Sequence, residues 1–275
     1  MTISVRSNNP ALMALQNLNT TKDNLATVEN RVSSGLSVAQ AKDNGATWAV
    51  AQGQRSDLKA LSAVRMSLDR AQSIADVSVS AGTAVSNLLL ELKDKALAAT
   101  DTTLDASARS SLNVDFKTLL NQVARVVQDS TFDGANLLDG SSASLRFMAN
   151  SDANSFLTLT GQNLSLGGAI ITLAATNSVS TVTQATTSLA ALTTSITNVS
   201  QALGTLGSQS SQVTAHNAFV SRLDDAITAG IGNLVDADLS KESARLQALQ
   251  VQQQLGTQTL SIANQAPSFI LSLFK

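Results

Sequence analysis

The one histidine of the chain, His216, is a residue type that can act in acid–base catalysis or bind a metal ion. It lies beside Asn217 in a helical pattern of apolar residues, and no second histidine stands at the spacing of a metal-binding helix pair. We therefore interpret His216 as a surface or packing residue.

Two groups of acidic residues resemble a metal-binding or catalytic site only in part. The segment from Asp129 to Gly134 is similar to the start of a calcium loop, but its twelfth position is Gly140 rather than Glu, so a turn is favoured. Asp224 and Asp225 are adjacent on a helical pattern and project about 100° apart, which does not suit an acid–base pair. No phosphate-binding or nucleophile motif occurs. The sequence predicts no enzyme, no cofactor and no metal.

Composition favours a helical protein that assembles. Aromatic residues make up 3% and charged residues 14% of 275 residues, while hydrophobic residues make up 43%. Low charge on long amphipathic helices indicates that more than one face of each helix is buried, so we infer contacts with other subunits. The net charge of −2, without a basic block, gives no support for a nucleic-acid partner. The chain contains no run of about 18 apolar residues, so the sequence predicts no membrane span.

Long helices are the elements that must position any functional residue. The only prolines are Pro10 and Pro267, so the interior contains no helix breaker of this type. From Leu61 to Ala99 a 3,4 spacing holds over more than five heptads, which predicts a helix from about Trp48 to Ala99. The residues of this stripe are Leu61, Val64, Leu68, Ala71, Ala75, Ser78, Gly82, Val85, Leu89, Leu92, Ala96 and Ala99.

Similar stripes predict the other helices. The first 36 residues form one helix, and breaks are predicted at residues 33–35 and 44–45. Another helix ends at Asp129, and helix resumes near Ser188, with a shift of phase near Leu234. After this shift, the predicted stripe of the last helix consists of Ala237, Lys241, Ala244, Ala248, Val251, Leu255, Gln258 and Ile262.

Between Asp129 and about Ala185 the pattern changes to short alternating runs. Two Asp-Gly pairs, at residues 133–134 and 139–140, predict hairpin turns. Strands are predicted over residues 145–148, 156–160 and 169–173. We expect a small exposed β-rich insert, which is either a solvated loop region or a glycosylated surface.

The predicted fold class is mainly α. N- and C-terminal helices form a long coiled-coil-like rod that carries a β-hairpin and the insert. A 3,4 stripe is most often ordinary core packing, but its length and its occurrence at both ends favour polymer contacts. The residues assigned to core or subunit-contact seams are Leu15, Leu18, Leu25, Val32, Leu61, Leu68, Leu89, Leu92, Val251, Leu255 and Ile262.

Three segments of the chain resemble bacterial flagellin. Residues 31–36 and 41–46 (RVSSGL and AKDNGA) are similar to the family signature RLSSGL…AKDDAAG, with departures at Asn44 and Gly45. Residues 131–140 (TFDGANLLDG) are similar to its FNGxxLLDG hairpin, and residues 260–267 (LSIANQAP) to its C-terminal ending. The three in this order identify the chain as similar to flagellins over about residues 1–148 and 186–275.

This resemblance implies a structural subunit of the extracellular flagellar filament, used for swimming. Residues 1–45 and 235–275 would form the inner-tube coiled coil, residues 46–140 and 186–234 the outer-tube rod, and residues 141–185 an exposed variable insert. The implied partners are other copies, alone or mixed with other flagellins, hook-associated and cap proteins, and an export chaperone. Export would use the flagellar type III apparatus without a cleaved signal. A hook–filament junction protein and a soluble helical adhesin or signalling rod are the alternatives.

The resemblance also implies a surface that a vertebrate innate-immune receptor binds in some flagellins, at about residues 89–98 and at Asp115. Recognised members carry Arg, Leu and Glu at the key positions, where this chain has Glu91, Lys95 and Asp115. We therefore expect weak recognition or none.

Overall fold

A computed structural model describes residues 8–272, and the side-chain surroundings up to residue 265. The predicted class, mainly α with a small antiparallel sheet, is confirmed. The elements in this part of the chain are α1 (Asn9–Ser34), α2 (Gly45–Ala99), α3 (Ala106–Asp129), β1 (Ser144–Met148), β2 (Phe156–Thr160), α4 (Val182–Val235) and α5 (Leu239–Ser272). The predictions for residues 1–7 and 273–275 lie outside the described residues.

Local capping explains where the first helices begin and end. The Asn8 side chain accepts a hydrogen bond from the backbone N–H of Ala11 at 3.2 Å, and so caps α1. Gly35, at φ 72°, ends α1 in the left-handed conformation that glycine adopts without strain. Asp105 caps α3 through the N–H of Ala108. The predicted breaks are confirmed, whereas α4 begins at Val182 rather than near Ser188.

The chain divides into two compact units. Unit 1 comprises Met1–Ser56 and Ala226–Lys275, and unit 2 comprises Asp57–Asp225. The division falls within α2 and α4, not at the loops near residues 45 and 235 where the sequence-based boundary was drawn. Ala51 of α2 and Ile231 of α4 are buried.

The core of unit 2 is formed by α2, α3, α4 and the segment between α3 and α4. The seam residues Leu61, Leu68, Leu89 and Leu92 are all buried there, as is Phe116 of α3. One stretch of α2 is long and apolar enough to cross a membrane by composition alone. The core helix of a soluble protein has the same composition, and these buried leucines give α2 a packing role.

The hairpin turn predicted at residues 133–134 is confirmed. Phe132 and Ala135 exchange backbone hydrogen bonds of 2.9 and 3.0 Å, while Asp133 and Gly134 have φ values of 50° and 76°. Positive φ at both central residues is the geometry that Asp-Gly favours in a two-residue hairpin. The strands predicted over residues 145–148 and 156–160 are also confirmed, and they pair antiparallel as β1 and β2, with Phe147 opposite Leu157.

The third predicted strand, residues 169–173, is wrong. This stretch has no ladder partner in the structure, and its backbone bonds to side chains of α4 instead. The N–H of Thr172 donates to the Ser195 hydroxyl at 3.0 Å, and the Asn198 amide donates to the carbonyl of Ile170 at 3.1 Å.

Residues 141–185 are only partly exposed, whereas the sequence predicted an exposed insert. One face of this segment is part of the unit 2 core, because alternate residues of the sheet and of the following coil point inward. The backbone joins three helices, since Met148 bonds to Ser67 of α2, Val179 to Asn113 of α3 and Thr172 to α4. The buried apolar residues are Phe147, Leu157, Leu159, Leu164, Ile171, Leu173 and Val179.

Candidate assembly surface on the terminal helices

Helices α1 and α5 lie antiparallel in unit 1. At one end the Asn8 amide donates to the carbonyl of Ala263 at 2.8 Å. At the other end an Arg31 guanidinium nitrogen lies 3.3 Å from a Glu242 carboxylate oxygen. These two contacts fix both the direction and the register of the pair.

The inward face of each helix follows a 3,4 spacing. Leu25, Val28 and Leu249 form a small buried cluster with Val32 and Leu246 packed against it. Farther along, a Cβ added to Gly256 would lie 3.1 Å from Leu18 Cδ1, so glycine permits a close approach here. The buried or half-buried positions that follow this spacing are Ala11, Ala14, Leu18, Thr21, Leu25, Val28 and Val32 of α1, and Glu242, Leu246, Leu249, Gln253, Gly256, Leu260 and Ala263 of α5.

The stripe predicted for α5 is not the one that packs inward. Val251, Leu255 and Ile262 have exposed fractions of 54%, 62% and 62%. At about 100° per residue, the centre of their stripe lies about 150° around the helix from the inward stripe. Helix α5 therefore has two apolar stripes with the same spacing, and the single chain buries only one of them.

Helix α1 shows the same feature near its N-terminal end. Leu15 was assigned to the same core or subunit-contact seam as Leu18 and Leu25, but it is exposed in the single chain, and Ala14 takes the inward position. Leu12 and Met13 are exposed beside it. These three large apolar side chains have no cover within the described part of the chain.

An ion pair between half-buried Arg31 and buried Glu242 interrupts the apolar seam, and the apolar spacing did not predict it. Glu242 is nine-tenths buried, and its Oε2 atom has no hydrogen-bond partner among the described residues. Arg31 lies in the last turn of α1 and Glu242 in the first turn of α5, where the helix dipoles favour each charge. Beside it, the N–H of Ala237 donates to the carbonyl of Gly35 at 2.9 Å. Glu242 is in phase with the inward stripe of α5, and a charged residue at such a position is the sequence signal that could have predicted this ion pair.

Residues considered for chemistry have structural partners. His216 Nε2 lies 2.8 Å from the carbonyl of Ala149, to which it donates, and Asp133 pairs with Arg70 at 2.8 Å. Asp224 lies 3.7 Å from Arg65. Within residues 8–272, no group of side chains is arranged to hold a metal ion.

The receptor-surface positions lie on α2 and α3 of unit 2. Glu91 is exposed, while Lys95 and Asp115 form an ion pair between the two helices. The hydrogen bond from Lys95 to the Asp115 carboxylate, together with its charge, raises the pKa of Lys95 above its ordinary value.

Comparisons with known proteins agree with this architecture. The model of the bacterial flagellin N-terminal helical region matches residues 5–143, and that of the C-terminal helical region matches residues 189–274. Flagellin FljJ of Caulobacter vibrioides is 47% identical over 280 residues, covering 100% of this chain and 99% of the relative. Flagellin FljO of the same organism is 45% identical over 272 residues, covering 99% and 98%.

More distant proteins have the same family name. A flagellin of Brucella melitensis is 34% identical over 281 residues, covering 99% of both chains. The crystal structure of Bacillus cereus flagellin superposes with a TM-score of 0.50 at 19% identity, over 56% of this chain and 88% of that one. The structural likeness shows the fold alone.

Proposed function

This chain belongs to the bacterial flagellin family and is a subunit of the flagellar filament, and we propose that two exposed apolar surfaces are its contacts with neighbouring copies. They are the outward stripe of α5 (Val251, Leu255 and Ile262) and the exposed end of α1 (Leu12, Met13 and Leu15). The supporting observation is the uncovered stripe of Val251, Leu255 and Ile262. An amphipathic helix of a single soluble chain needs one apolar face, and α5 has two.

Burial of this stripe would favour assembly. Complete burial of one large aliphatic side chain contributes about 1.5–3 kcal/mol. The free energy gained at each contact is modest, and the entropy lost by ordering the side chains offsets part of it. Such contacts recur at every copy of an open helical polymer, so the sum stabilises a filament.

We further propose the roles that the family resemblance implies for the parts of the chain. Residues 1–45 and 235–275 contribute the inner tube, and residues 46–140 and 186–234 the outer tube. Residues 141–185 face outward with the side chains that the core leaves exposed, such as Phe156. The presence of two compact units supports two structural roles.

The remaining proposals concern partners and location. Flagellins assemble with themselves in the extracellular filament. We propose in addition that hook-associated and cap proteins and an export chaperone bind this chain, that it is exported without a cleaved signal, and that it has no catalytic activity. The relatives reported above are named flagellins, which favours a filament subunit over a junction protein or an adhesin.

The test is a pair of double variants on α5. We expect Val251→Ser with Leu255→Ser to abolish seeded polymerisation, as measured by sedimentation and electron microscopy. The matched control replaces Gln250 and Gln254, which are exposed off the stripe, by Ser and polymerises normally. Thermal melting of unit 2 should be unchanged in both. Normal filaments from the stripe variant would contradict the proposal.

Truncation gives an independent test. Deletion of residues 1–30 should leave a soluble helical protein that forms no filaments, because it removes the exposed apolar residues of α1. Deletion of residues 264–275 should have the same result, because the family resemblance assigns this terminus to the inner tube. Filaments of normal morphology from either truncated chain would exclude the assignment of that terminus to subunit contacts.

A further inference from the structure

The chain contains one Asn-Gly pair, Asn44 and Gly45, and it stands at the start of α2. Both residues are exposed. The Asn44 Oδ1 atom accepts a hydrogen bond from the N–H of Thr47 at 3.1 Å, and the Asn44 carbonyl accepts one from the N–H of Trp48 at 2.9 Å. Asn44 is therefore the N-cap of this 55-residue helix, and its side chain satisfies a backbone donor of the first turn.

Within the described residues, no contact requires glycine at position 45. Its φ lies outside the left-handed region, and a Cβ added there would have no atom within 4 Å beyond its own helix backbone and chain neighbours. Alanine would be the more stable residue at this helical position, because glycine loses more conformational freedom on folding. What alanine would not reproduce is a chemical property: the backbone nitrogen of glycine has no side chain to hinder its approach to the carboxamide carbon of Asn44.

We propose that Asn44 is a site of spontaneous deamidation. The backbone nitrogen of Gly45 loses its proton to base and attacks Cγ of Asn44, and the side-chain amide leaves as ammonia. The product is a cyclic succinimide. Water then opens the ring at either carbonyl carbon, which gives aspartate at position 44 or isoaspartate, in which the main chain runs through the former side chain. This inference does not depend on the assembly contacts proposed above.

The fold controls which asparagine reacts. The hydrogen bond from Thr47 holds the carboxamide of Asn44 along the first turn of α2, so this turn must open before the reaction. The exposed end of a helix frays, and its opening therefore needs little local unfolding. Asn136 is the contrast, because it is buried and its amide donates to the carbonyl of Val127 at 2.8 Å.

The two products differ in their effect on α2. Aspartate keeps the cap and adds a negative charge at the helix N-terminus, where the first turn has no acidic residue. Of the charged neighbours in the chain, Lys42 is exposed, and Asp43 already accepts hydrogen bonds from two backbone N–H groups at 3.1 and 2.9 Å. Isoaspartate adds a methylene to the main chain, which displaces the carbonyl that accepts from Trp48. The first product stabilises the start of the helix, and the second opens it.

Peptide mass spectrometry of the purified full chain, aged in mildly alkaline buffer, tests the site. We expect Asn44 to change from amide to acid several-fold faster than Asn154, which is exposed but followed by serine. Gly45→Ala should slow the conversion to the rate of Asn154 without loss of folding, since alanine has room at this position. The matched control is Gly53→Ala, at a second exposed glycine of α2 with the same free space, and it should convert like the unmodified chain.

Trp48 provides a local readout, because it is half-buried, it is the one tryptophan, and the chain has no tyrosine. Chains with Asn44→Asp should keep the emission of the unmodified chain. The isoaspartate fraction, identified by enzymatic methylation specific for isoaspartate, should have red-shifted emission, because the first turn opens to water.

Two results would overturn the proposal: an Asn44 that persists as long as Asn154, or a Gly45→Ala chain that converts at the unmodified rate. An isoaspartate fraction with unshifted emission would overturn the effect assigned to that product on α2.

Discussion

The ammonium of Lys95 lies 2.9 Å from a carboxylate oxygen of Asp115, and this ion pair joins α2 to α3. The two side chains are 38% and 55% exposed, so water screens the interaction. Two of the three positions at which this chain departs from receptor-recognised flagellins are therefore occupied by residues that bind each other.

We predict that the innate-immune receptor responds weakly or not at all to this protein. Glu91 has the opposite charge to the arginine of recognised members, and Lys95 replaces an apolar anchor with a cation already paired to Asp115. A reporter-cell assay with purified monomer measures this. The variant Glu91→Arg, Lys95→Leu, Asp115→Glu should gain activity, and potency equal to that of a recognised flagellin in the unmodified chain would contradict the prediction.

The Lys95–Asp115 pair should affect stability in a pH-dependent way. The pair raises the pKa of Lys95 in the folded state, so its contribution is complete below the ordinary lysine pKa of about 10.4 and is lost as pH rises through the folded pKa. We expect Lys95→Met to lower the melting temperature slightly at pH 8 and not at pH 12. An equal difference at both pH values would show that packing of the stem, rather than charge, is responsible.

Leu89 should be among the residues most important for folding of unit 2. It is fully buried, so Leu89→Ala should lower the free energy of unfolding by about 2–5 kcal/mol. Leu89→Asp should prevent folding, because an unpaired charge would be buried. The adjacent Leu90 is 48% exposed and serves as the control: Leu90→Ala should change urea unfolding little. Equal effects at both positions would contradict the observed helix register.

The insert should tolerate change only where it is exposed. The turn between β1 and β2 contains Asp152 and Ala153, and Ala153 has a φ of 53°, which a non-glycine residue adopts with strain. Shortening this turn should leave folding and assembly intact. By contrast, Ile171 is fully buried, and Ile171→Ala should cost about 2–5 kcal/mol in chemical unfolding.

The sequence predicted an exposed insert over residues 141–185, but we expect tolerance of deletion at this turn and not in the coil after β2. A chain that lost residues 164–173 and still melted at the normal temperature would show that the coil adds nothing to the core.

Much of the fold could be predicted because its determinants are local. The end of α1 depends on Gly35, whose left-handed conformation needs no tertiary partner, and the 133–134 turn depends on an Asp-Gly pair. The register of α2 follows from its own 3,4 spacing, since only one of its stripes is rich in large apolar residues. Family membership likewise depends on short motifs that can be found in the sequence alone.

The tertiary structure decided what the spacing left ambiguous. Helix α5 has two apolar stripes of equal period, and the choice between them depends on α1: Gly256 admits Leu18, and Glu242 meets Arg31. Residues 169–173 alternate like a strand, but Ser195 and Asn198 of α4 satisfy backbone groups there, and no neighbouring strand is needed. Periodicity determines that a face is apolar, whereas the residue across from it determines whether that face is buried within this chain.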